Sequence, residues 1–432
     1  MKLQAHFNKR HWIAGVQWFF FIFANIIIIP ITVSAAFDLP HEKTISIMQM
    51  SFVVTGLASL AQGLFGHRKP ILEGQSGLWW GIYLTLVSIA AAQGTPLTVV
   101  GGSIAVGVIL SGLLTMVIGL VGAGPVIARW FKPSVMGVFM LLLGMTLIQI
   151  FLKGMLGIPF GNEGEHTIQL PIAGLSIAIV MFVIILSIKS SSKIRSFAIL
   201  IGMLVGWGLY VLLFGQASHM QSEGFQIVLF PLGSLSWDLG IILTLIIAGL
   251  LNFSNTFVSI KGAATIYQEN SRKRDYLASF QITGLASIFA GIFGLVPYAP
   301  YVSSLGFLKQ TNIYERTPFL IGSFLFFLLG VIPPVGAFFA TMPLSIGSAV
   351  LFVAYLQFFG TALSYFQDVS FNTLNVYRVA IPAFVGMILM TFPDYYFDTI
   401  PTILRPFLSN GLLVGVLLAL LLENIINWDK IK

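Results

Sequence analysis

The chain has 432 residues, of which 57% are hydrophobic and only 9% are charged, and its mean hydropathy is +0.94. A typical soluble domain has roughly 45–50% apolar and about 25% charged residues, so this composition excludes a water-soluble globule. Much of the apolar surface must face lipid, which predicts a polytopic membrane protein. The chain has no cysteine, which excludes disulfides, thiolate metal sites and cysteine nucleophiles.

The net charge of +7 comes from basic residues scattered singly or in small groups between apolar runs. A nucleic-acid partner would need these residues gathered on one face, so we expect no nucleic-acid binding. The first apolar run, Trp12 to Ala36, follows Lys2, Lys9 and Arg10 and resembles a secretory signal. Its length and the many similar runs after it favour a first membrane span instead.

Fourteen apolar segments, numbered here in chain order, predict an all-α polytopic membrane protein. They lie near residues 12–36, 44–66, 71–92, 97–122, 133–152, 170–188, 197–214, 239–260, 276–296, 298–314, 317–337, 341–364, 378–392 and 407–426. With both termini in the cytoplasm, nineteen Lys and Arg residues fall in cytoplasmic stretches and three fall outside, namely Lys43, Lys153 and Arg405. One missed span would reverse every later side, so this bias predicts a multi-pass protein of the cell membrane with cytoplasmic termini.

The segments divide into two sets of seven. Residues 1–214 form the first set and residues 238–432 form the second, and the exterior loop 215–237 connects them. Because each set has an odd number of spans, the second repeat is inverted relative to the first. Inverted repeats are typical of secondary transporters, whose sites lie at the membrane midplane where interrupted elements of the two halves meet.

Segments 3 and 10, each third in its repeat, have such interruptions. Segment 3 begins with PILEGQSG and segment 10 begins with PYAPYVSSLG. Their Pro, Gly and polar residues would leave backbone groups unpaired in a lipid-facing helix. We therefore expect short extended stretches in both segments, paired with one another inside the protein.

Four stretches resemble the nucleobase/ascorbate transporters, also called nucleobase:cation symporter family 2. They are GVQWFFFIFANIIIIP, PILEGQSGLWWG, AGLLNFSNTFVSIKG and PYAPYVSSLGFLKQTN, in segments 1, 3, 8 and 10. Gly306 and Thr311 keep the spacing of the family's segment 10 signature, with Ser303 and Ser304 as its polar pair. The resemblance implies a core domain of segments 1–4 and 8–11, a gate domain of segments 5–7 and 12–14, a purine or pyrimidine substrate, and a homodimer formed through the gate domains.

The chain departs from the family at the site. Family members such as uracil permeases have a glutamate in segment 8 and another in the segment 10 signature, where they bind the base and support proton coupling. These positions are Asn252 and Ser303 here, and Gly77 replaces an aromatic residue of segment 3. An amide offers both donor and acceptor to a base, so binding is expected to survive, whereas proton coupling does not follow.

Polar residues of these four segments form the candidate substrate site. Asn252, Asn255 and Thr256 share one face of segment 8, although they could also serve helix-to-helix hydrogen bonds. The backbone amides at the start of the segment 10 helix suit the carbonyl oxygens of a base. The full candidate set is Gln17, Asn25, Ser76, Gly77, Asn252, Asn255, Thr256, Tyr301, Val302, Ser303 and Ser304.

Among the acidic residues, only Glu73 stands near an interrupted element. We expect it to form an interfacial ion pair with Arg68 or Lys69, and its alternative role is to carry the coupling proton. All six histidines lie outside the segments, so we expect no metal site, and no cofactor is expected. Trp80 is expected to anchor its segment at the membrane interface.

These features predict a secondary-active nucleobase permease, for a purine in preference to a pyrimidine, with a proton or sodium as a possible coupling ion. The alternative is an anion transporter or channel, because a site without acids at a helix N-terminus also suits an anion. A membrane enzyme is not expected, since no His, Cys or paired-acid constellation lies in the segments.

Overall fold

The computed structural model describes residues 9–158, 167–195, 197–215, 224–225, 227–373 and 375–428. The described residues of the first half form helices and one short strand. Its elements are α1 (Lys9–Ile26), α2 (Ile28–Ala36), α3 (His41–Leu64), β1 (Glu73–Gln75), α4 (Gly77–Gln93), α5 (Leu97–Val121), α6 (Gly124–Ala128), α7 (Pro133–Met155), α8 (Leu170–Lys189), α9 (Ser192–Arg195) and α10 (Ala198–Phe214).

The described residues of the second half likewise form helices and one short strand, which precedes the third helix. Its elements are α11 (Leu239–Ile266), α12 (Lys273–Phe293), β2 (Tyr298–Pro300), α13 (Ser303–Thr311), α14 (Arg316–Val331), α15 (Pro333–Ala340), α16 (Leu344–Tyr355), α17 (Gln357–Gln367), α18 (Tyr377–Leu389), the 3-10 helix η1 (Asp394–Phe397), α19 (Arg405–Leu408) and α20 (Gly411–Ile425).

The length and apolar character of the helices are those of a multi-pass membrane protein. Within the described ranges, eight helical stretches are long and apolar enough to cross a membrane, or nine if α14 and α15, which meet at 86°, form one broken span. Every predicted segment overlaps a helix, preceded in segments 3 and 10 by a strand. The predicted helical membrane fold is confirmed, while the count of fourteen crossings and the division into core and gate domains stay predictions.

Glycines let helices of the two halves approach closely. A Cβ built on Gly112 of α5 would lie 2.7 Å from the carbonyl oxygen of Gly284 on α12, and the reverse distance is also 2.7 Å. A Cβ on Gly56 of α3 would lie 2.6 Å from the backbone nitrogen of Phe327 on α14. Small residues allow this approach in membranes, where dispersion contacts rather than water drive helix association.

A buried ion pair joins three further helices. Arg378 of α18 donates from Nε to Glu423 Oε2 of α20 at 2.9 Å, and its Nη2 donates to Oε1. Lys132, which precedes α7, donates to the Glu423 carbonyl oxygen at 2.9 Å. Because the Glu423 side chain is only 1% exposed, its charge depends on these partners.

The interruptions in segments 3 and 10 are the two strands. β1 and β2 pair antiparallel, with Gln75 opposite Tyr298 and Glu73 opposite Pro300. The pairing continues past the strand ends, where Ser76 N donates to the Pro297 carbonyl at 2.8 Å. The expectation that the two interrupted segments satisfy one another's backbone is confirmed, and α4 and α13 begin just after the strands.

Candidate functional site

Asn252 ties helix α11 to both interrupted segments. Its Nδ2 donates to the Tyr298 carbonyl at 2.9 Å, and its Oδ1 accepts from Ser76 Oγ at 2.8 Å and from Asn255 Nδ2 at 3.1 Å. Asn255 Nδ2 also lies 3.4 Å from Ser76 Oγ. Half-buried Asn255 makes no hydrogen bond through Oδ1 to any residue the structure describes, so this oxygen is open to a ligand.

The residues that follow β2 are held against segment 3. Tyr301 donates its backbone N–H to the Leu72 carbonyl at 2.8 Å and its hydroxyl to the Gln75 carbonyl. Ser304 is buried, and its Oγ accepts from Leu72 N at 3.0 Å. Val302 is half-buried at the N-cap of α13. The side chains of Tyr301 and Ser304 therefore bond the backbone of segment 3 and fix the position of the start of α13.

Helix α13 has one packed side and one open side. Phe307 packs on Trp18 of α1, with ring centroids 4.6 Å apart. Ser303, Gly306 and Lys309, spaced three residues apart and so on one face, are exposed, and a Cβ on Gly306 would meet nothing within 4 Å. The hydroxyl of Ser303 is thus accessible, unlike that of its neighbour.

Gly77 stands opposite an aromatic residue that sequence reasoning missed. A Cβ on Gly77 would lie 3.3 Å from Leu147 Cδ1 and 3.7 Å from the Tyr355 hydroxyl of α16. The Tyr355 ring packs on Phe151 and Trp80, at centroid distances of 5.3 and 6.3 Å. Tyr355 therefore brings a ring to the place where the resembled family has an aromatic in segment 3.

Three candidate residues are not joined to this cluster by hydrogen bonds in the described part of the chain. Asn25 Nδ2 donates to the Phe21 carbonyl of its own helix at 2.8 Å. Gln17 is half-buried on α1, and Thr256 is buried on α11. Their roles in substrate binding stay predictions.

The expectation for Trp80 was wrong. Its side chain is 0% exposed, and Nε1 donates to Thr32 Oγ1 of α2 at 2.8 Å. The residue lies near the end of a predicted segment, but an extended stretch precedes its helix, so it sits inside the protein and not at an interface.

The expected ion pair of Glu73 was also wrong. Its carboxyl is fully buried, with Oε2 accepting from Gln62 Nε2 at 2.9 Å and Oε1 accepting from Thr283 Oγ1 at 2.7 Å. Neither Arg68 nor Lys69 pairs with it in the described structure. Tertiary contacts with α3 and α12, rather than its sequence neighbours, decide its surroundings.

Lys69 pairs instead with Glu269, in the loop between α11 and α12, and its Nζ lies 4.4 Å from the Tyr267 ring centroid. Its hydrogen bond holds the pKa of the Glu269 carboxyl below the usual value. His67 is buried beside it, and desolvation lowers the pKa of its imidazole to about 3. The described residues include no group of three or more His, Asp or Glu that could hold a metal ion.

Two solved structures share this fold. The transmembrane domain of the cyanobacterial bicarbonate transporter BicA aligns with a TM-score of 0.63 at 15% identity, covering 95% of this chain and 97% of that one. The murine anion transporter Slc26a9 aligns with a TM-score of 0.65 at 12% identity, covering 98% of this chain and 69% of that one.

Sequence relatives cover nearly the whole chain. "Putative purine permease YwdJ" of Bacillus subtilis is 29% identical, over 97% of each protein. "Xanthine permease" of the same organism is 24% identical over 97% of this chain and 94% of its own length. "Uric acid transporter UacT" of Escherichia coli is 21% identical over 96% of this chain and 86% of its own length.

The sequence model Xan_ur_permease, described as a permease family, matches residues 9–395. This match confirms the resemblance drawn from segments 1, 3, 8 and 10, and its members are transporters rather than enzymes. The chain therefore belongs to the nucleobase/ascorbate family of membrane permeases.

Proposed function

We propose that this permease carries a nucleobase, a purine in preference to a pyrimidine, across the cell membrane by alternating access. The observation that supports this best is the cluster of Ser76, Asn252 and Asn255 beside the strand pair, at the start of α4. The relatives named as purine, xanthine and uric acid permeases point to the same substrate class.

The site would recognise a purine through hydrogen bonds to its edges and stacking on its ring. A purine presents N–H and C=O groups at its edges. The open Oδ1 of Asn255 complements the N–H groups, and the backbone N–H groups of Val302 and Ser303, which donate to no carbonyl in the described structure, complement the C=O groups. The Tyr355 ring offers an aromatic surface beside Gly77. Asn252 acts as a positioning residue, because its Oδ1 and Nδ2 are both bonded inside the protein.

Transport would result from movement of a core domain relative to a gate domain. In this proposal segments 1–4 and 8–11 form a core domain, segments 5–7 and 12–14 form a gate domain, and the substrate lies between them. The open face of α13, with Ser303 and Lys309, would line the path to the cytoplasm. The cytoplasmic termini and the homodimer through the gate domains, which the sequence and the resemblance predict, belong to this proposal.

Competition in proteoliposomes tests the substrate class. The purified full chain should exchange internal unlabelled xanthine for external radiolabelled xanthine, and excess uric acid or hypoxanthine should block this exchange more strongly than uracil does. Bicarbonate, chloride and sulfate should leave it unchanged. Protein-free liposomes give the background.

An anion transporter remains the second candidate, on one observation. No carboxylate faces the Ser76 and Asn252 cluster among the described contacts, since Glu73 points to α3 and α12. Two helix N-termini that no described carboxylate faces also suit an anion. Uptake of bicarbonate or sulfate by the same vesicles, with no uptake of any base, would favour this function over base transport.

A further inference from the structure

The two-stranded sheet has two faces, and Glu73 lies on the one turned away from the substrate site. Side chains alternate along a strand, so Glu73 and Gln75 point to the same side. Gln75 Nε2 donates to Ser51 of α3, which identifies that side as the one facing α3. Gly74, between them, faces Tyr301, whose Cε1 a Cβ would approach to 3.0 Å.

Two stripes of polar residues line the space around the carboxyl of Glu73. They recur every three or four positions and therefore occupy one face of each helix. All of them are buried; they are Ser51, Thr55, Ser59 and Gln62 on α3, and Ser279, Thr283 and Ser287 on α12.

None of the described groups that face Glu73 carries a positive charge. From α3 and α12 it meets an amide and hydroxyls, and the titratable side chains near it are Tyr298 of β2 and the adjacent Tyr301. No lysine, arginine or histidine pairs with its carboxyl in the described structure. A carboxyl buried in this way has no fixed counter-ion, and intramembrane acids of this kind mark proton sites.

The hydrogen bonds of Glu73 suit both of its protonation states. Ionised, it accepts from Gln62 Nε2 at 2.9 Å and from Thr283 Oγ1 at 2.7 Å. When a proton adds to Oε1, that oxygen can donate to Thr283, because a hydroxyl accepts as well as donates. Gln62 keeps its bond to Oε2 in either state.

The same contacts favour a proton over a sodium ion. Gln62 turns its nitrogen to the carboxyl, where a metal cation would need an oxygen ligand. Gln62 Oε1 has no hydrogen-bond partner among the described residues and lies against Gly66, 2.0 Å from the place of a Cβ there. Both direct partners of the carboxyl are arranged as donors, Gln62 through Nε2 and Thr283 through its hydroxyl, and a bound cation would need the Gln62 amide to turn over.

A short path connects this carboxyl to the substrate site. Strand β1 carries Glu73 on one face, and two residues later the Gln75 carbonyl accepts the hydroxyl of Tyr301. Ser76, next in the chain, bonds Asn252. A shift of β1 on protonation would thus move atoms that hold the proposed base site.

We propose that Glu73, Gln62 and Thr283 form the proton-binding site through which a pH gradient drives transport. The site binds one proton on the Glu73 carboxylate and releases it as the carrier changes state, with the charge cycling between carboxylate and neutral acid. This inference rests on the proposed function and adds the place and the residues at which the coupling proton binds.

The test uses proteoliposomes of the full chain with a pH-sensitive dye inside and an acidic exterior. Wild type should accumulate radiolabelled xanthine above equilibrium and acidify the interior when xanthine is added outside. Glu73→Gln keeps the shape and can donate to Thr283, so it should still exchange xanthine but lose accumulation and acidification. Glu42→Gln, at an exposed position in the first turn of α3, is the matched control and should behave as wild type.

The outcomes separate this inference from the proposed function. Exchange by wild type without proton movement, accumulation by Glu73→Gln equal to wild type, or accumulation driven by a sodium gradient alone would each overturn the proton site and leave base transport standing. Absence of exchange of any tested base by wild type would overturn both.

Thr283 provides a second route if Glu73→Gln does not fold. Thr283→Val has nearly the same shape without the hydroxyl, whereas Thr283→Ser keeps it. The pH of half-maximal accumulation should match wild type in Thr283→Ser and move by at least about half a unit in Thr283→Val, because a hydrogen bond to one protonation state changes its population. An unchanged pH profile in Thr283→Val would overturn the proposal.

Discussion

Replacing Asn252 by alanine removes one of the side-chain links between α11 and the strand pair; Ser259 keeps another, donating from Oγ to the Pro300 carbonyl at 3.0 Å. Three groups lose a partner: the Tyr298 carbonyl, the Ser76 hydroxyl and the Asn255 amide. Ser76 and Asn255 are 3.4 Å apart and can bond one another, so the carbonyl is the group left unsatisfied. A buried polar group without a partner costs about 1–3 kcal/mol. If the cost falls on the substrate-bound state, xanthine binding weakens by about 5- to 150-fold.

Scintillation-proximity binding of radiolabelled xanthine to the purified protein measures this change. A melting curve in the same detergent separates lost binding from lost folding. Gln357→Ala, which removes an exposed amide at the start of α17, is the control and should bind as wild type. Equal losses in Asn252→Ala and Gln357→Ala, or wild-type binding by Asn252→Ala, would refute a positioning role for Asn252.

Four further outcomes are expected. Gly77→Phe should abolish xanthine uptake because its ring needs the space of Tyr355, whereas Gly77→Ala should retain most of it; equal uptake by the two variants argues against this packing. Glu423→Gln should lower the unfolding free energy by about 3 kcal/mol, seen as a lower Tm, since the half-buried Arg378 loses its charge partner. His67 has a pKa of about 3 in the folded protein and about 6.5 unfolded, so the unfolded chain binds the extra proton and stability should fall as pH drops below 6.5, by about 1.4 kcal/mol per unit. His67→Gln should lack this component of the Tm profile. Ser190→Cys, in this cysteine-free chain, should resist an impermeant maleimide added outside intact cells; labelling would reverse the assigned orientation.

The strand pair could be predicted from sequence because lipid leaves backbone groups no alternative partner. Two interrupted segments in corresponding positions had to satisfy one another, and the polar residues beside them, Ser76 and Asn252, had to lie inside. The start of α13 lies near segment 3 for the same reason. The membrane fold could be predicted from composition and from the distribution of Lys and Arg for the same reason. Polar and charged groups are costly to place in lipid, so both patterns follow from the membrane.

The surroundings of single side chains could not be predicted in this way. Glu73 lies close to Arg68 and Lys69 in sequence, but its position on a strand turns it toward Gln62 and Thr283, the latter more than two hundred positions away. Tyr355 lies in an apolar run, and no spacing of polar or apolar residues there indicates that its ring faces Gly77. Both depend on which helices pack together, and that packing is a property of the whole chain.

The pairing of β1 with β2 has a consequence for how the protein is made. The bond between Tyr301 and Gln75 joins residues 226 positions apart, so the first strand emerges from the ribosome long before its partner exists. Until then the backbone groups that pair with β2 have no complement in lipid, although those of Glu73 already bond Ser59 of α3. The early half must wait in the translocon or in contact with water, and biogenesis is completed only when the second half inserts. Separately expressed halves should therefore be degraded alone and recovered when they are produced together.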